Sequence, residues 1–307
     1  MKPPRFQYWA PESLAEALEG LWQLEDQGYT TKLLAGGQSL MPVLNMRLSA
    51  PDVIVDLNHL APELSTVQEV SETLHIGAMT RHYQLESHPV LGARAPIIAE
   101  AERYIGHVAI RSRGTIGGSL VHADPSAELP LVLALLQGTV TLQSRESIRE
   151  VSAQDFFVTY LTTAITSTEI LTAITLPTLP PGSGQSLEEI ASRPGDFAIV
   201  AAAAQVTLDS DEAIHAVRLA LGGVSSVPLD VSGSIAFLVG EIPTAQLWIE
   251  CTQSLADLVE PDSDVHADSA YRKDLTVALS RRALTHAWQR ARQGASLGSI
   301  GNKGGEG

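Results

Sequence analysis

The sequence predicts an α+β protein of two domains, and three observations lead there. A chain of 307 residues, 44% of them hydrophobic, is long enough for about two domains with sizeable cores. Strand-like and helix-like segments alternate in the first half, but they are too short and irregular for a doubly wound sheet. A stretch rich in proline and glycine, Pro177 to Ser186, lacks apolar periodicity and reads as a linker between the halves.

The elements follow in order. Leu14, Ala17, Leu18, Leu21 and Trp22 fall at helical spacing, predicting a helix over Pro11 to Leu24. Lys32 to Ala35 is a short strand that runs into a glycine pair. Asp52 to Leu57 reads as a buried strand bounded by Pro51 and Asn58. A strand over Leu74 to Ala78 and a helix near Leu91 to Ile105 precede a second glycine-rich loop. Glu128 to Leu136 reads as a buried helix, with Ser126 as its candidate N-cap. Strands follow at Thr139 to Leu142 and Ile170 to Leu176. Beyond the linker, strands over Asp196 to Leu208 and Ile214 to Leu221 flank an acidic turn, and two helices cover Thr244 to Val259 and Tyr271 to Arg292. The tail, 293–307, is rich in glycine and serine and reads as disordered.

Charge and cysteine content exclude several classes. A formal net charge of −15 argues against nucleic acid as a partner, because phosphate backbones need a basic footprint. Cys251 is the single cysteine, so the chain holds neither an internal disulfide nor a cysteine-ligated iron–sulfur cluster. The start of the sequence shows no signal-peptide pattern, and no apolar run reaches the ~20 residues of a transmembrane span. The expected compartment is the cytoplasm.

The most informative segments are Ala35-Gly36-Gly37-Gln38-Ser39-Leu40 and Gly114-Thr115-Ile116-Gly117-Gly118-Ser119. Turns without side chains can point several backbone N–H groups into one concavity, which suits a phosphate. Two such loops suggest a diphosphate gripped from both sides, although ordinary glycine turns explain either loop alone equally well. Neither loop has the P-loop spacing or the dinucleotide fingerprint of a strand–glycine–helix unit.

Other chemistry has little support. The nine histidines contain no metal-binding pair at helical spacing, and no nucleophile elbow occurs. Neither a metal site nor a catalytic residue is expected on this chain. Asp124 and Glu128 are four residues apart, ahead of an apolar helix. They suit acid–base work, charge stabilisation of a helix start, or acceptance of hydrogen bonds from ligand hydroxyls.

Three ordered blocks carry a family resemblance. AGGQSLMPVLNMRL (35–48) with Asp56, RGTIGGSLVHADPSAELP (113–130) and EILTAITLP (169–177) resemble the FAD-binding medium subunit of molybdenum hydroxylases. The likeness is to the aerobic carbon monoxide dehydrogenase type, and more distantly to the flavin domain of xanthine dehydrogenase. Gly195-Asp196-Phe197-Ala198, Leu219 to Val224 and Tyr271-Arg272 agree with it.

The resemblance implies a two-lobed FAD-binding domain of the p-cresol methylhydroxylase type over 1–177, with lobes of about 1–57 and 58–177. It also implies a linker over 178–186 and a C-terminal α+β domain, an antiparallel sheet with helices, over 187–292. Leu34 to Leu40 would wrap the FAD pyrophosphate, with Gly36, Gly37, Gln38 and Ser39 closest. Thr115, Gly117, Gly118 and Ser119 would form the opposing clamp. Ala123 would lie near the isoalloxazine, Asp124 is counted among the cofactor-binding residues, and Glu128 would face the ribityl or diphosphate part. Ile105 and Leu171 would pack on the adenine or dimethylbenzene portions, a role that plain core packing explains nearly as well. Phe197 stands where some relatives carry a tyrosine near the isoalloxazine.

The implied function is electron transfer. FAD would be held non-covalently, while the molybdenum cofactor would sit on a large partner subunit and [2Fe–2S] clusters on a small one. The three chains would form a dimer of heterotrimers, passing electrons to dioxygen, a quinone or NAD. A self-contained flavin oxidase or reductase of the same fold is the alternative. One departure bears on redox tuning: Glu189 and Ser192 replace basic residues common in relatives.

Overall fold

The computed structural model describes the backbone of residues 2–301 and the side chains of residues 2–293. The chain divides into two compact units. The first comprises Met1–Val90, His107–Asp124 and Gln137–Pro177; the second comprises Leu91–Gly106, Pro125–Leu136 and the chain from Thr178 onward. Segments 91–106 and 125–136, inside the expected first domain, thus belong to the second unit.

The first unit opens with β1 (Gln7–Trp9), the helix Leu14–Asp26, β2 (Thr31–Leu34) and β3 (Val53–Asp56). The helix starts later than its apolar spacing predicts because Ser13 caps it, accepting a 3.2 Å hydrogen bond from the Glu16 N–H. It ends at Asp26, and beyond its cap Gly28, at φ +79°, lets Gly28 N–H reach Glu25 O and Tyr29 N–H reach Leu24 O. The strands form a parallel sheet in the order β1-β3-β2. Val53, Ile54 and Val55 on the central strand are all buried, the continuous apolar run expected of a strand covered on both faces. Ala17, Leu18 and Leu21 pack on that core together with Leu60 and Leu64, each buried leucine contributing about 2 kcal/mol.

The same unit holds a second, antiparallel sheet. Its strands are β4 (Val67–Val70), β5 (Thr73–Gly77), β6 (Thr139–Gln143), β7 (Ile148–Ser152) and, after a small hairpin of β8 (Phe157–Thr159) and β9 (Thr162–Thr163), β10 (Ile170–Pro177). The spatial order is β4-β5-β10-β6-β7. Sequence patterning finds the three inner strands and misses β4 and β7, where Val70 and Ile148 face solvent. Edge strands bury too little to show a pattern.

The second unit is built on β11 (Ser183–Ala191), β12 (Ala198–Leu208), β13 (Ile214–Gly222) and β14 (Leu229–Asp230), an antiparallel sheet in chain order. The helices Ala245–Gln253 and Ser269–Gly301 pack against it, burying Trp248, Leu279 and Leu284. The stretch read as linker therefore ends as sheet. Gly184 marks the reason: a Cβ there would overlap Ala287 O and lie 2.8 Å from Arg290 Cβ, so the glycine lets helix and strand meet. The expected tail overlaps this helix as far as Gly301, and its remainder lies outside the described residues.

Two local expectations are corrected. The single helix near 91–105 is two helices, Pro89–Arg94 and Pro96–Glu102, because Pro96 has no N–H to donate and keeps Ala95 out of the helical region, at φ −152° and ψ 62°. Ala127 rather than Ser126 takes the N-cap position of the helix Glu128–Leu135, with no side-chain cap.

Candidate functional site

β2 and β3 run parallel, so their carboxyl ends open on the same edge of the sheet. Open parallel sheets bind ligands there. At that edge the first glycine loop leaves β2, and Asp56 and Asn58 leave β3. A cleft of about 410 Å³ lies among them, with Leu34, Ala35, Gly36, Gly37 and Gln38 on one side. Asp56, Asn58, Arg81 and Arg113 close the other side.

The loop is shaped to present its backbone. Gly37 takes φ +73°, which a side chain disfavours, and Gln38 Nε2 donates back to Gly36 O at 3.1 Å. Among the described residues, the N–H groups of Gly36, Gly37, Gln38 and Ser39 donate to no group of the chain. Ser39 makes no side-chain cap, and Leu40 begins the short helix Leu40–Asn45. Backbone donors left unsatisfied around a cleft form an anion-binding concavity.

The second loop meets the first backbone to backbone. A Cβ on Gly36 would overlap Arg113 O and come within 2.7 Å of Gly114 Cα. Most of its own amides are engaged within the chain, and among the described residues Thr115 N–H alone of them donates to no group. Gly114 N–H goes to Ile110 O, Ile116 N–H to Thr80 O, Gly117 N–H to Ala78 O and Ser119 N–H to Thr115 O. Thr115 is buried and caps the helix Ile116–His122, accepting from Gly118 N–H at 3.1 Å. Gly117 is a packing glycine, because a Cβ there would sit 2.7 Å from both Ala78 O and Ala78 Cβ. The second loop reaches the cleft through Arg113, one residue before it.

A polar network orders the far wall. Asn58 Nδ2 donates to Ala35 O at 3.1 Å and also to Asp56 Oδ1, and Asn58 Oδ1 accepts from Arg81 at 2.6 Å. Arg81 donates as well to Arg113 O. Burial works to raise the Asp56 carboxyl, but hydrogen bonds from Tyr8 O–H (2.6 Å), Asn58 N–H (2.9 Å) and the Asn58 amide outweigh it and leave it below the usual range. Burial, with Arg113 nearby, lowers the Arg81 guanidinium, which stays charged.

The remaining expected residues are spread across both units. In the first, Ala123 ends the helix Ile116–His122 in the left-handed region at φ +53°, and its O accepts from Leu161 N–H, itself at φ +50°. Asp124 follows it, and Leu171 is buried on β10, consistent with core packing. Ile105, Glu128 and Phe197 belong to the second unit. There Glu128 is buried at the first position of its helix, Ile105 is half-buried and Phe197 is exposed. Also in that unit, burial pushes the Glu189 carboxyl up to about 7, and its Oε2 has no hydrogen-bond partner. Among the described residues no group of histidine, cysteine and carboxylate side chains could hold a metal.

Comparison with known proteins decides the family. Residues 4–179 match the FAD binding domain in molybdopterin dehydrogenase, and residues 185–287 match the CO dehydrogenase flavoprotein C-terminal domain. This chain belongs to the FAD-binding medium subunits of molybdenum hydroxylases. It is 34% identical to the carbon monoxide dehydrogenase medium chain of Hydrogenophaga pseudoflava, covering 94% of this chain and 99% of that one. It is 36% identical to 6-hydroxypseudooxynicotine dehydrogenase complex subunit alpha of Paenarthrobacter nicotinovorans, covering 95% and 97%. Among solved structures, quinoline 2-oxidoreductase of Pseudomonas putida 86 superposes with a TM-score of 0.89 at 34% identity, covering 95% of this chain and 99% of that one. The α+β architecture, the oxidoreductase class and FAD as cofactor follow for this medium subunit.

Asp56, Asn58, Arg81 and Arg113 are absent from the site residues expected from sequence. Asp56 and Arg113 do fall in the blocks that carry the resemblance. Asn58 and Arg81 had one usable signal, their place just after apolar strands. Those strands lie in different sheets, β3 in the parallel one and β5 in the antiparallel one, and only the fold brings the two residues together.

Proposed function

We propose that this medium subunit holds FAD non-covalently and relays electrons from [2Fe–2S] clusters of a small partner subunit to an external acceptor. Oxidation of the organic substrate takes place at a molybdenum cofactor on a large partner. The observation that carries the FAD site is the cleft: the undonated amides of Gly36, Gly37 and Gln38, two guanidiniums and a glycine where any side chain would strike the facing loop. Bound FAD supplies redox chemistry that can be charged one electron at a time and discharged in pairs.

The chain's own residues hold and shield. Gly36, Gly37, Gln38 and Ser39 direct N–H groups to the diphosphate. Asn58 and Asp56 keep the loop and Arg81 in register, and Gly117, Gly118 and Ser119 fix the facing loop, which leaves the Thr115 N–H to donate to the ligand. Leu34 and Leu40 brace the first loop at its ends. Ala123, Asp124 and Leu171 of the first unit, and separately Ile105, Glu128 and Phe197 of the second, are the further residues we assign to the cofactor. No side chain of this chain acts as acid or base on the organic substrate.

The relatives' names, medium chain and complex subunit alpha, support an assembly with large and small partners, proposed as a dimer of heterotrimers. No helix of the described residues is long and apolar enough to cross a membrane, and we place the complex in the cytoplasm. The test is co-purification: tagged chain should bring down a large molybdopterin-type subunit and a cysteine-rich small one, and acid should release FAD from it. Turnover of an organic substrate by this chain alone would overturn the assignment.

A further inference from the structure

Arg81 and Arg113 line the cleft without a carboxylate partner. In a chain of net charge −15, neither has an acidic oxygen within the 4.0 Å of an ion pair among the described residues. Asp56, the carboxylate in the same cleft, has its oxygens taken up by Tyr8 and Asn58. Two like charges facing one cavity repel each other, and holding one of them half-buried costs desolvation. The fold nevertheless fixes Arg81 in place, with one N–H to Asn58 Oδ1 and another to Arg113 O. A guanidinium has five N–H donors, so three remain for a ligand. Among the described residues Arg113 makes no side-chain hydrogen bond, which keeps all of its donors for a ligand.

We infer that Arg81 and Arg113 are the cationic half of the diphosphate site and determine which flavin the subunit retains. The undonated amides of the glycine loop supply dipoles from one side, and the two guanidiniums supply full charge from the other. The two guanidiniums, partly offset by the ionised Asp56 carboxylate in the same cleft, face the two negative charges of a nucleoside diphosphate ester. Arg81 is the preorganised member and Arg113 the adaptable one, able to close on the ligand from the exposed rim. Asn58 is a positioning residue, since it ties Arg81 to the loop backbone at Ala35. This inference rests on the FAD reading above. Its added content is that selection is electrostatic and centred on the diphosphate, so the ADP part alone is recognised and riboflavin is not.

The experiment titrates FAD, ADP and riboflavin into the full chain stripped of flavin, at low and high salt. Arg81→Gln and Arg113→Gln are compared with Lys32→Gln, which removes one exposed charge from β2 outside the cleft. Each arginine variant should weaken FAD and ADP by about tenfold or more, the loss of a charge-assisted hydrogen bond. Each should also flatten the salt dependence of binding, while Lys32→Gln matches wild type. Arg81→Lys should restore the salt dependence but not the full affinity, because an ammonium cannot span Asn58, Arg113 O and the ligand together. If Arg81→Gln does not fold, Arg113→Gln, which breaks no bond within the chain, carries the test. Wild-type FAD and ADP affinity in both glutamine variants would overturn the inference and leave the FAD site standing. Failure of wild-type chain to bind FAD at all would remove the FAD reading itself.

Discussion

Gly36→Ala isolates the contact between the two glycine loops. Gly36 is not in the left-handed region, so alanine is conformationally acceptable there and only space opposes it. The new Cβ would lie 2.7 Å from Gly114 Cα and overlap Arg113 O, where ordinary contact begins at 3.4 Å. The loops must therefore part by at least about 0.7 Å (3.4 − 2.7) at Gly114 Cα and by more at Arg113 O, and both atoms struck are backbone, which cannot rotate away. Overpacking of this kind costs about 1–3 kcal/mol. Bound ligand would bear that cost because the same displacement moves Arg113 and the amides of Gly36 and Gly37. FAD affinity should fall by about 5- to 150-fold. The assay is a fluorescence titration of FAD into stripped chain, with thermal unfolding of the flavin-free protein alongside. Gly37→Ala is the comparison: it strains φ +73° yet meets only Leu34 Cδ1 at 3.1 Å, the end of a flexible side chain. Wild-type FAD affinity with an unchanged melting temperature in Gly36→Ala would refute the apposed-loop geometry.

Three further outcomes follow from the structure. Gly117→Val should abolish FAD retention, because even a Cβ would strike Ala78 at 2.7 Å and the loop carrying Arg113 must shift; full flavin occupancy would contradict it. Glu189, raised to about 7 by burial, stabilises the fold most when protonated, below the unfolded carboxyl range, and that stability is lost as pH rises to about 7. Glu189→Gln should flatten that slope by up to about 3 kcal/mol, read by urea unfolding on either side of neutrality, and an unchanged slope would count against the buried acid. Glu169 is buried and held below its ordinary range first by its hydrogen bonds to Arg149, at 2.6 and 2.9 Å. Its contribution is present above the unfolded carboxyl range and lost on acidification through the lower folded value. Arg149→Gln should therefore cost about 1–3 kcal/mol at neutral pH, a loss that shrinks in acid, and equal loss at all pH values would refute the pairing.

Legibility in the sequence tracked burial. β3 and the helix Leu14–Asp26 stand out because burial forces an unbroken apolar run or helical spacing on them. The edge strands β4 and β7 bury little and leave no pattern. The glycine loops were visible as motifs, but the difference between them was not. Whether an N–H is free for a ligand depends on partners such as Ala78 and Thr80, more than thirty residues away from Gly117 and Ile116. Arg81 and Asn58 were hard to read for the same reason, since an arginine after a strand is ordinary until the fold brings it to Asn58 and Arg113. Gly184 looked like linker glycine because a residue chosen for a close helix approach and one chosen for a turn are identical in sequence.

The relay itself is tested most directly by mixing chemically reduced small [2Fe–2S] subunit with FAD-loaded chain in the absence of oxygen. The account predicts that the flavin absorption band bleaches as the iron–sulfur absorption returns, and that chain stripped of FAD leaves the clusters reduced. A flavin that stays oxidised while the assembled complex still turns over would contradict it.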